Sequence, residues 1–259
     1  MLINIYRVVL ALLHIAYSII ITFRRVWADL RRNFIAAFEL FESLKNAKTE
    51  TEVIVHSVKR IERSKLPKHL VLILGHERAS FQDIVRVIGW CATAGIPCVS
   101  FYDHNGLLRK SENEARKVLS ESKPELVDYV NWNSDCPVKA VRNGINGVKH
   151  KIQVQLLSYM DGKREVALLA QSLGKGVIAG ALKVEEIGPE LLENKLRLGM
   201  LPDPDLAIVC GKTCSTYGLL PWHIRTTEFL QLDTHHNLRV VDFVSLLEEY
   251  TKCEQRYGK

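Results

Sequence analysis

The segment HLVLIL, His69 to Leu74, decides the fold because every residue after its histidine is apolar. A continuous apolar run of this length predicts a strand that is covered on both faces, which is typical of parallel sheets. Four later segments have the same character: IPCVSFY (96–102), KIQVQLL (151–157), DLAIVC (205–210) and EFLQL (228–232). Because helical patterns separate these strands, we predict an α/β fold with a parallel sheet flanked by helices.

The helical patterns are clearest in five segments: 81–94, 107–122, 161–175, 184–198 and 238–255. The last segment has a broad apolar face from Val240 to Tyr250, which can pack on the sheet of its own chain or face another chain. We expect part of it to face a partner. Residues 123–149 contain NGING and little periodicity, so we predict a surface excursion there.

The N-terminus carries a long apolar segment, Leu2 to Phe23, followed by a cluster of arginines. A spanning helix needs about 20 largely apolar residues, and basic residues after it indicate a cytoplasmic side. We therefore predict a membrane anchor over 1–23 and a polar helical stalk over 24–65. Arg7 and His14 weaken the span, so a helix lying on the membrane surface is the alternative; a cleaved signal peptide is disfavoured.

Composition narrows the classes of partner. The chain has 259 residues, 47% of them apolar, and a net charge of +6, which favours membrane surfaces, phosphates or nucleic acid. Nucleic acid is disfavoured because no basic run is interleaved with aromatic residues and no zinc-finger pattern is present. The six cysteines form no Cys-x-x-Cys pair, which indicates reduced thiols on a cytosolic face.

Ligands of parallel sheets usually bind beyond the carboxyl ends of the strands. The first strand is followed there by GHERAS (75–80), which has no aspartate, no P-loop and no Gly-x-Gly-x-x-Gly pattern. His76 and Glu77 are adjacent, so their side chains point apart and predict a surface turn rather than a metal pair. His235 and His236 are interpreted in the same way. No catalytic triad follows from the spacing of residues.

Several blocks in order resemble the cis-prenyltransferase family, whose fold is that of undecaprenyl diphosphate synthase. They are HLVLIL-GHER, WCATAGIPCVSFYDHNG (90–106), PDPDLAIVCG (202–211) and LLPWHIRTTEF (219–229). The closing DFVSLLEEYTKCEQRYGK resembles the non-catalytic subunits of heteromeric members. The similarity covers residues 66–259, although 108–150 contributes little. It implies a cis-prenyltransferase-like domain over 66–259 with a C-terminal Arg-x-Gly tail.

The departures from this family concern its diphosphate machinery. Catalytic members carry an aspartate directly after the first strand, where this chain has Gly75, and glycine can neither bind Mg²⁺ nor act as a base. They also carry an Arg-x-Ser pair before the Leu-Leu-Trp block, where this chain has TCSTYG (213–218). The resemblance therefore implies no catalytic residues and no metal site of its own, and no activity for the chain alone.

The family's Arg-x-Gly tail falls on Arg256 and Gly258. The resemblance implies that both bind isopentenyl diphosphate in the active site of a catalytic partner, a dehydrodolichyl diphosphate synthase that holds Mg²⁺. Arginine presents a planar fork to phosphate oxygens, and a glycine amide can approach closely. Tyr257, between them, has no assigned role. The implied complex makes polyprenyl diphosphate for dolichol synthesis and protein glycosylation at the cytoplasmic face of the endoplasmic reticulum membrane.

Two other functions stay open at this stage. A membrane-anchored receptor or scaffold could use a degenerate enzyme fold as a binding surface. An autonomous prenyltransferase is disfavoured by Gly75 and by the segment TCSTYG, which lacks arginine.

Overall fold

The computed structural model describes residues 49–61, 65–132, 151–196, 198 and 201–253, with isolated helical positions between residues 7 and 27. The chain divides into two compact units, Met1–Thr49 and Glu50–Lys259. None of the helices in the described part combines the length and the apolar character that crossing a membrane requires. The anchor predicted over 1–23 lies largely outside the described residues and stays a prediction.

The second unit is built on one parallel sheet, as the sequence predicts. Its strands are β1 (His69–Ile73), β2 (Cys98–Tyr102), β3 (Val130–Asn131), β4 (Ile152–Leu157), β5 (Leu206–Cys210) and β6 (Glu228–Leu232). The order across the sheet is β3-β4-β2-β1-β5-β6, and all five strand pairs are parallel. All residues of β1, β2 and β5 are buried, which explains why their sequences read as continuous apolar runs.

Seven helices accompany the strands in the described residues. They are α1 (Glu50–Arg60), α2 (Phe81–Ala94), α3 (Leu107–Lys110), α4 (Glu112–Ser122), α5 (Lys163–Ile178), α6 (Pro189–Lys195) and α7 (Val240–Thr251). Helix α2 follows local rules at both ends. The Ser80 hydroxyl accepts the Asp83 amide at its start, and Gly95 at φ +83° ends it with an N–H bond to the Cys91 carbonyl.

Alternate side chains of the strands face two separate apolar clusters. Leu70, Leu72 and Leu74 contribute to the larger cluster, which also includes Trp90 of α2 and Phe243 of α7. The smaller cluster lies on the other face and includes Val71, Ile73, Ala207, Val209, Leu219 and Leu220. Both faces of the sheet are therefore covered, which is the arrangement that parallel strands require.

Helix α1 lies within the segment predicted as a stalk, but it packs against the sheet domain. Ile54 is fully buried in the larger cluster. The Glu50 carboxylate accepts hydrogen bonds from Arg86 Nη2 at 2.7 Å and from the Trp90 indole N–H at 2.9 Å. The second compact unit therefore begins at Glu50, the first residue of α1. This is expected because α1 is amphipathic and packs its apolar side against the sheet domain.

Three other segments differ from the sequence prediction. The helix predicted over 184–198 is divided into a 3-10 helix, Val184–Glu186, and α6, which begins at Pro189. The single helix predicted over 107–122 is broken at Ser111, which ends α3 and begins α4 with its backbone at φ −104°, ψ 25°. The predicted surface excursion begins with a 3-10 helix, Pro124–Tyr129, that leads into β3. The short strand β3 then pairs with Ile152 and Gln153 of β4. A two-residue strand is too short to show periodicity, so no pattern in the sequence predicts it.

Candidate functional site

The carboxyl end of β1 is closed around Gly75. This glycine is buried and has φ +62°, in the left-handed region that other residues rarely adopt. A Cβ at this position would stand 2.9 Å from the Cys210 carbonyl oxygen and 3.2 Å from the Tyr217 hydroxyl oxygen. The backbone conformation and the lack of space therefore both exclude a carboxylate here, beyond what the sequence alone indicates.

Tyr217 occupies the space beside Gly75, in the segment 213–218 where catalytic relatives are expected to carry arginine. Its own φ is +50°, which is unusual for a bulky residue. Its ring meets the His76 ring edge-on, with centroids 5.1 Å apart. Its carbonyl oxygen accepts hydrogen bonds from the Tyr102 hydroxyl at 2.8 Å and from His104 Nδ1 at 3.1 Å. These contacts hold Tyr217 in place from two neighbouring strand ends.

Tyr102 stays a hydrogen-bond donor at neutral pH. Burial raises the pKa of its phenol to about 12, and the charges of Asp161 and Asp103 add to that increase. The phenol therefore does not ionise in the physiological range, and its bond to the Tyr217 carbonyl persists. Asp103 itself caps α3, accepting the backbone N–H groups of Leu107 at 2.6 Å and Leu108 at 3.1 Å.

Glu77, Cys210 and His235 form the one group of potential metal ligands found in the described residues, with ligand atoms within 4.8 Å of one another. Both nitrogens of His235 are already engaged. Nδ1 donates to Glu77 Oε2 at 2.5 Å, and Nε2 accepts the Ser80 amide at 3.1 Å. Burial raises the pKa of the Cys210 thiol far above its ordinary value, so it stays protonated. In this structure the three side chains therefore form a hydrogen-bonded cluster in which both imidazole nitrogens are already used.

The same contacts define the charge state of the Glu77–His235 pair. Burial alone would raise the pKa of the Glu77 carboxyl, but hydrogen bonds from His235 and Thr234 outweigh it and lower that pKa. Burial lowers the pKa of His235, and the Glu77 hydrogen bond offsets this only in part. A carboxylate thus accepts from a neutral imidazole. The sequence predicts separate surface turns at Glu77 and at His235. In the fold, a hydrogen bond between these two side chains connects the turns, although 158 residues of chain separate them.

Helix α7 is the described element that leads to the predicted tail. Its apolar residues are buried in this chain, with Phe243 and Leu247 fully inaccessible. The expectation that part of this face meets a partner is therefore wrong, because the face is buried in the larger apolar cluster of the chain itself, together with Ile54 of α1 and Trp90 of α2. Arg256 and Gly258 lie outside the described residues, so their predicted role stays a prediction.

Helix α5 presents the opposite situation. It has sixteen residues, none of them buried, although its sequence is amphipathic. Leu168 is 47% exposed and Ile178 is 89% exposed, and Val184 in the following 3-10 turn is 63% exposed. Exposed large apolar side chains are a feature of surfaces that contact another protein. The sequence predicts a helix here, but the exposure of its side chains depends on tertiary packing, which the sequence alone does not reveal.

Similarity to known proteins defines the structural class of this chain. No protein-family model matches the chain. The solved structure of lavandulyl diphosphate synthase from Lavandula x intermedia matches with a TM-score of 0.56 and 14% identity, over 76% of this chain and all of that one. The tritrans,polycis-undecaprenyl-diphosphate synthase of Pyrococcus horikoshii is 21% identical, over 78% of this chain and 90% of its own length. The fold is that of the cis-prenyl diphosphate synthases.

More similar relatives define the family within this class. The dehydrodolichyl diphosphate synthase complex subunit NUS1 of Homo sapiens is 33% identical over 199 residues, which cover 75% of this chain and 68% of that protein. The NUS1 subunit of Saccharomyces cerevisiae is 24% identical over 77% of this chain and 61% of its own length. The chain belongs to the NUS1 family of dehydrodolichyl diphosphate synthase complex subunits. This confirms the predicted resemblance to a heteromeric cis-prenyltransferase subunit.

Proposed function

We propose that this chain is a non-catalytic subunit that completes the active site of a catalytic cis-prenyltransferase. The observation that carries the proposal is the closed end of β1, where Tyr217 and the Cys210 carbonyl leave no space for a side chain at Gly75. The aspartate and Mg²⁺ that the family chemistry requires then come from a partner. The relatives' names, which describe complex subunits, support such a partner.

The partner in this proposal is a dehydrodolichyl diphosphate synthase. A Mg²⁺ bound by that partner would supply charge neutralisation when pyrophosphate leaves an allylic diphosphate. The double bond of isopentenyl diphosphate attacks the allylic carbon, and loss of a proton leaves a new cis double bond. Arg256 and the amide of Gly258 bind the diphosphate of isopentenyl diphosphate. Their contribution is therefore positioning and charge stabilisation rather than proton transfer.

The exposed apolar residues of α5 support a docking surface for this partner. Leu168 and Ile178 on α5, with Val184 just beyond it, are large, apolar and exposed in a chain whose core is otherwise well buried. We assign this surface to the catalytic subunit, because burying it would remove the unfavourable contact of these side chains with water.

The proposal places the complex at the cytoplasmic face of the endoplasmic reticulum membrane. The apolar segment Leu2–Phe23 and the arginines after it support anchoring there. The polyprenyl product is itself insoluble in water, so synthesis beside a bilayer gives the anchor a direct purpose.

The test is to coexpress the full chain with a dehydrodolichyl diphosphate synthase and to measure prenyl transfer with and without residues 256–259. We expect the truncated chain to assemble with its partner and to lose most of the activity. The competing function is a receptor or scaffold that uses the degenerate fold as a binding surface. Undiminished activity after truncation would support that function and exclude a role of the tail in substrate binding.

A further inference from the structure

We propose that His223 is a buried imidazolium that acts as a proton-dependent latch between α6 and the start of β5. Loss of its second proton as pH rises releases the latch and weakens docking of the catalytic subunit. The proton state follows from hydrogen-bond geometry in this chain alone. The effect on docking rests on the proposed function, because it concerns the surface assigned to that subunit.

His223 lies in the loop between β5 and β6, and its side chain is only 10% exposed. One ring nitrogen, Nδ1, lies 2.8 Å from Oδ1 of Asp203, a residue that precedes β5. The other nitrogen, Nε2, lies 2.6 Å from the carbonyl oxygen of Leu196, the residue that caps the end of α6. The ring therefore bridges the end of α6 and the start of β5.

Both oxygens that face the ring are hydrogen-bond acceptors. A backbone carbonyl cannot donate, and the carboxylate of Asp203 is 43% exposed, so contact with water favours its charged form. A neutral imidazole has a single N–H and would leave a nitrogen lone pair directed at one of the two oxygens. Only the doubly protonated ring donates to both oxygens. The positive charge of His223 is then balanced by Asp203.

His69, at the start of the neighbouring strand β1, provides a contrast. Its Nδ1–H donates to the carbonyl of Pro202, while its Nε2 accepts from the Ser100 hydroxyl, which is able to donate. One proton satisfies both contacts, and burial lowers the pKa of His69 to about 4. Two buried histidines thus hold the adjacent residues Pro202 and Asp203 in different proton states, because only His223 faces two acceptors. Neutral His69 adds no positive charge beside it.

The acidic groups around His223 suit a cation. Asp203 is the direct partner, and Glu165 of α5 is close enough to interact. Burial and the charge of Asp161 raise the pKa of Glu165, and the positive charge of His223 opposes them. Asp205 instead accepts two backbone amides at the start of β1. His223 thus interacts with acidic side chains from two segments, which favours its charged form.

The latch matters because α6 is held mainly at its end. None of its residues, Pro189–Lys195, is buried, whereas Leu196 is only 2% exposed. Arg225, in the same loop as His223, pairs with Glu193 of α6 at 3.9 Å, but both side chains are 56% exposed, so this pair contributes little. The position of α6 therefore depends on the contact between His223 and the Leu196 carbonyl.

Loss of one proton changes both contacts of the ring. A neutral ring keeps its N–H on the carbonyl of buried Leu196, and its Nδ1 lone pair then repels the carboxylate of Asp203. The remaining bond to Leu196 is no longer charge-assisted and is about half as strong. Val184 of the proposed docking surface lies between α5 and α6, so a less firmly held α6 leaves that surface less ordered. Ordering it again on binding lowers the affinity for the partner.

The first measurement counts the protons on the ring. The full chain, labelled with isotope-enriched histidine, is purified in detergent without a partner, and NMR follows its ring nitrogens between about pH 6 and about pH 9. The signals that disappear in His223→Gln identify His223. We expect both of its nitrogens to be protonated at about pH 7 and one of them to lose its proton as pH rises. One unprotonated nitrogen at about pH 7 would overturn the proposal.

Asp203→Asn tests the geometry, because an asparagine amide can donate to Nδ1 and so satisfy a neutral ring. In this variant the ring should carry a single proton at about pH 7. The matched control is Asp128→Asn, which removes the same charge from an exposed position before β3, at the opposite edge of the sheet from β6. It should leave the ring doubly protonated. An unchanged proton count in Asp203→Asn, or an equal change in both variants, would contradict the latch.

The second measurement is the dissociation constant of the complex with the catalytic subunit at about pH 6.5 and about pH 8.5. The affinity of the parent and of Asp128→Asn should fall by about fivefold or more at the higher pH, and that of Asp203→Asn by less than about twofold. Equal pH dependence in the parent and in Asp203→Asn would overturn the link to docking. Failure to bind the catalytic subunit at any pH would refute the proposed function and the docking step with it. The proton count, measured in the chain alone, would stand.

Discussion

The hydroxyl oxygen of Tyr217 stands 3.2 Å from the point where residue 75 would place its Cβ, and the Cys210 carbonyl oxygen stands 2.9 Å from the same point. Two segments that are far apart in sequence thus share one small volume. Because the backbone of Gly75 is also left-handed, at φ +62°, the position is restricted by conformation as well as by space. A carboxylate cannot be restored there without movement of Tyr217.

The first prediction concerns this restriction. Gly75→Ala and Gly75→Asp should each lower the free energy of unfolding by roughly 2–4 kcal/mol, because the substituted residue is strained and overpacked. Urea unfolding measures the change. Neither variant should gain prenyltransferase activity as a single chain, and an active Gly75→Asp chain would contradict the closed site.

Gly174→Ala is the matched control, because an added Cβ at Gly174 in α5 meets nothing within 4 Å. Alanine favours helix over glycine, so this variant should be as stable as the parent or more stable by up to about 1 kcal/mol. Equal stability of the variants at positions 75 and 174 would show that the strain at Gly75 is unimportant.

The second prediction concerns pH. His69 is fully buried at the start of β1, donating Nδ1–H to the Pro202 carbonyl at 2.7 Å and accepting the Ser100 hydroxyl at Nε2 at 2.7 Å. Burial lowers its pKa to about 4, against a partial opposing effect of the Pro202 carbonyl. As pH falls below the ordinary histidine pKa, the unfolded chain binds a proton that the folded chain does not. Stability should therefore fall with pH, by up to roughly 3 kcal/mol between about pH 6.5 and pH 4.

Urea unfolding at about pH 7 and about pH 5 measures this loss in the parent and in His69→Gln, which removes the titrating group. The variant is expected to be less stable at neutral pH but to depend less steeply on pH. His235, whose pKa is also lowered by burial, accounts for part of the remaining dependence. His56→Gln, on the exposed side of α1, serves as the control and should keep the slope of the parent.

The third prediction tests the proposed docking surface on α5. Leu168→Glu should weaken association with the catalytic subunit on the order of tenfold or more, because it places a charge in an apolar contact. Leu168 is 47% exposed, so the melting temperature of the isolated chain should hardly change. Copurification and the dissociation constant measure the effect. Leu107→Glu, at 58% exposure on α3, is the control, and an equal effect of both variants would argue against α5.

The fourth prediction concerns the tail. In the assembled complex, Arg256→Ala should raise the Michaelis constant for isopentenyl diphosphate and lower kcat/KM on the order of tenfold or more. Arg256→Lys should recover only part of the activity, since lysine keeps the charge but loses the planar fork. Steady-state kinetics with Lys252→Ala as the charge-matched control distinguishes a specific contact from a general electrostatic effect. Unchanged kinetics of Arg256→Ala would remove Arg256 from the site.

The sequence alone determined the sheet and the class of protein. The runs at β1, β2 and β5 are apolar throughout because both faces of a parallel strand are buried, so their composition identifies them without tertiary information. Gly75 and the segment 213–218 likewise show from residue type alone that the aspartate and the arginine expected of catalytic relatives are replaced in this chain. The absent carboxylate needs no structure to be noticed.

Only the tertiary structure decided which side chains meet. Tyr217 closes the space at Gly75, and His235 pairs with Glu77. The apolar face of α7, which the sequence left open to a partner, is buried in the chain itself. Helix α5, in contrast, leaves its apolar residues exposed. Each of these outcomes depends on contacts between segments that are distant in the chain. Periodicity reports that a helix has an apolar side, but the arrangement of its neighbours determines whether that side is covered.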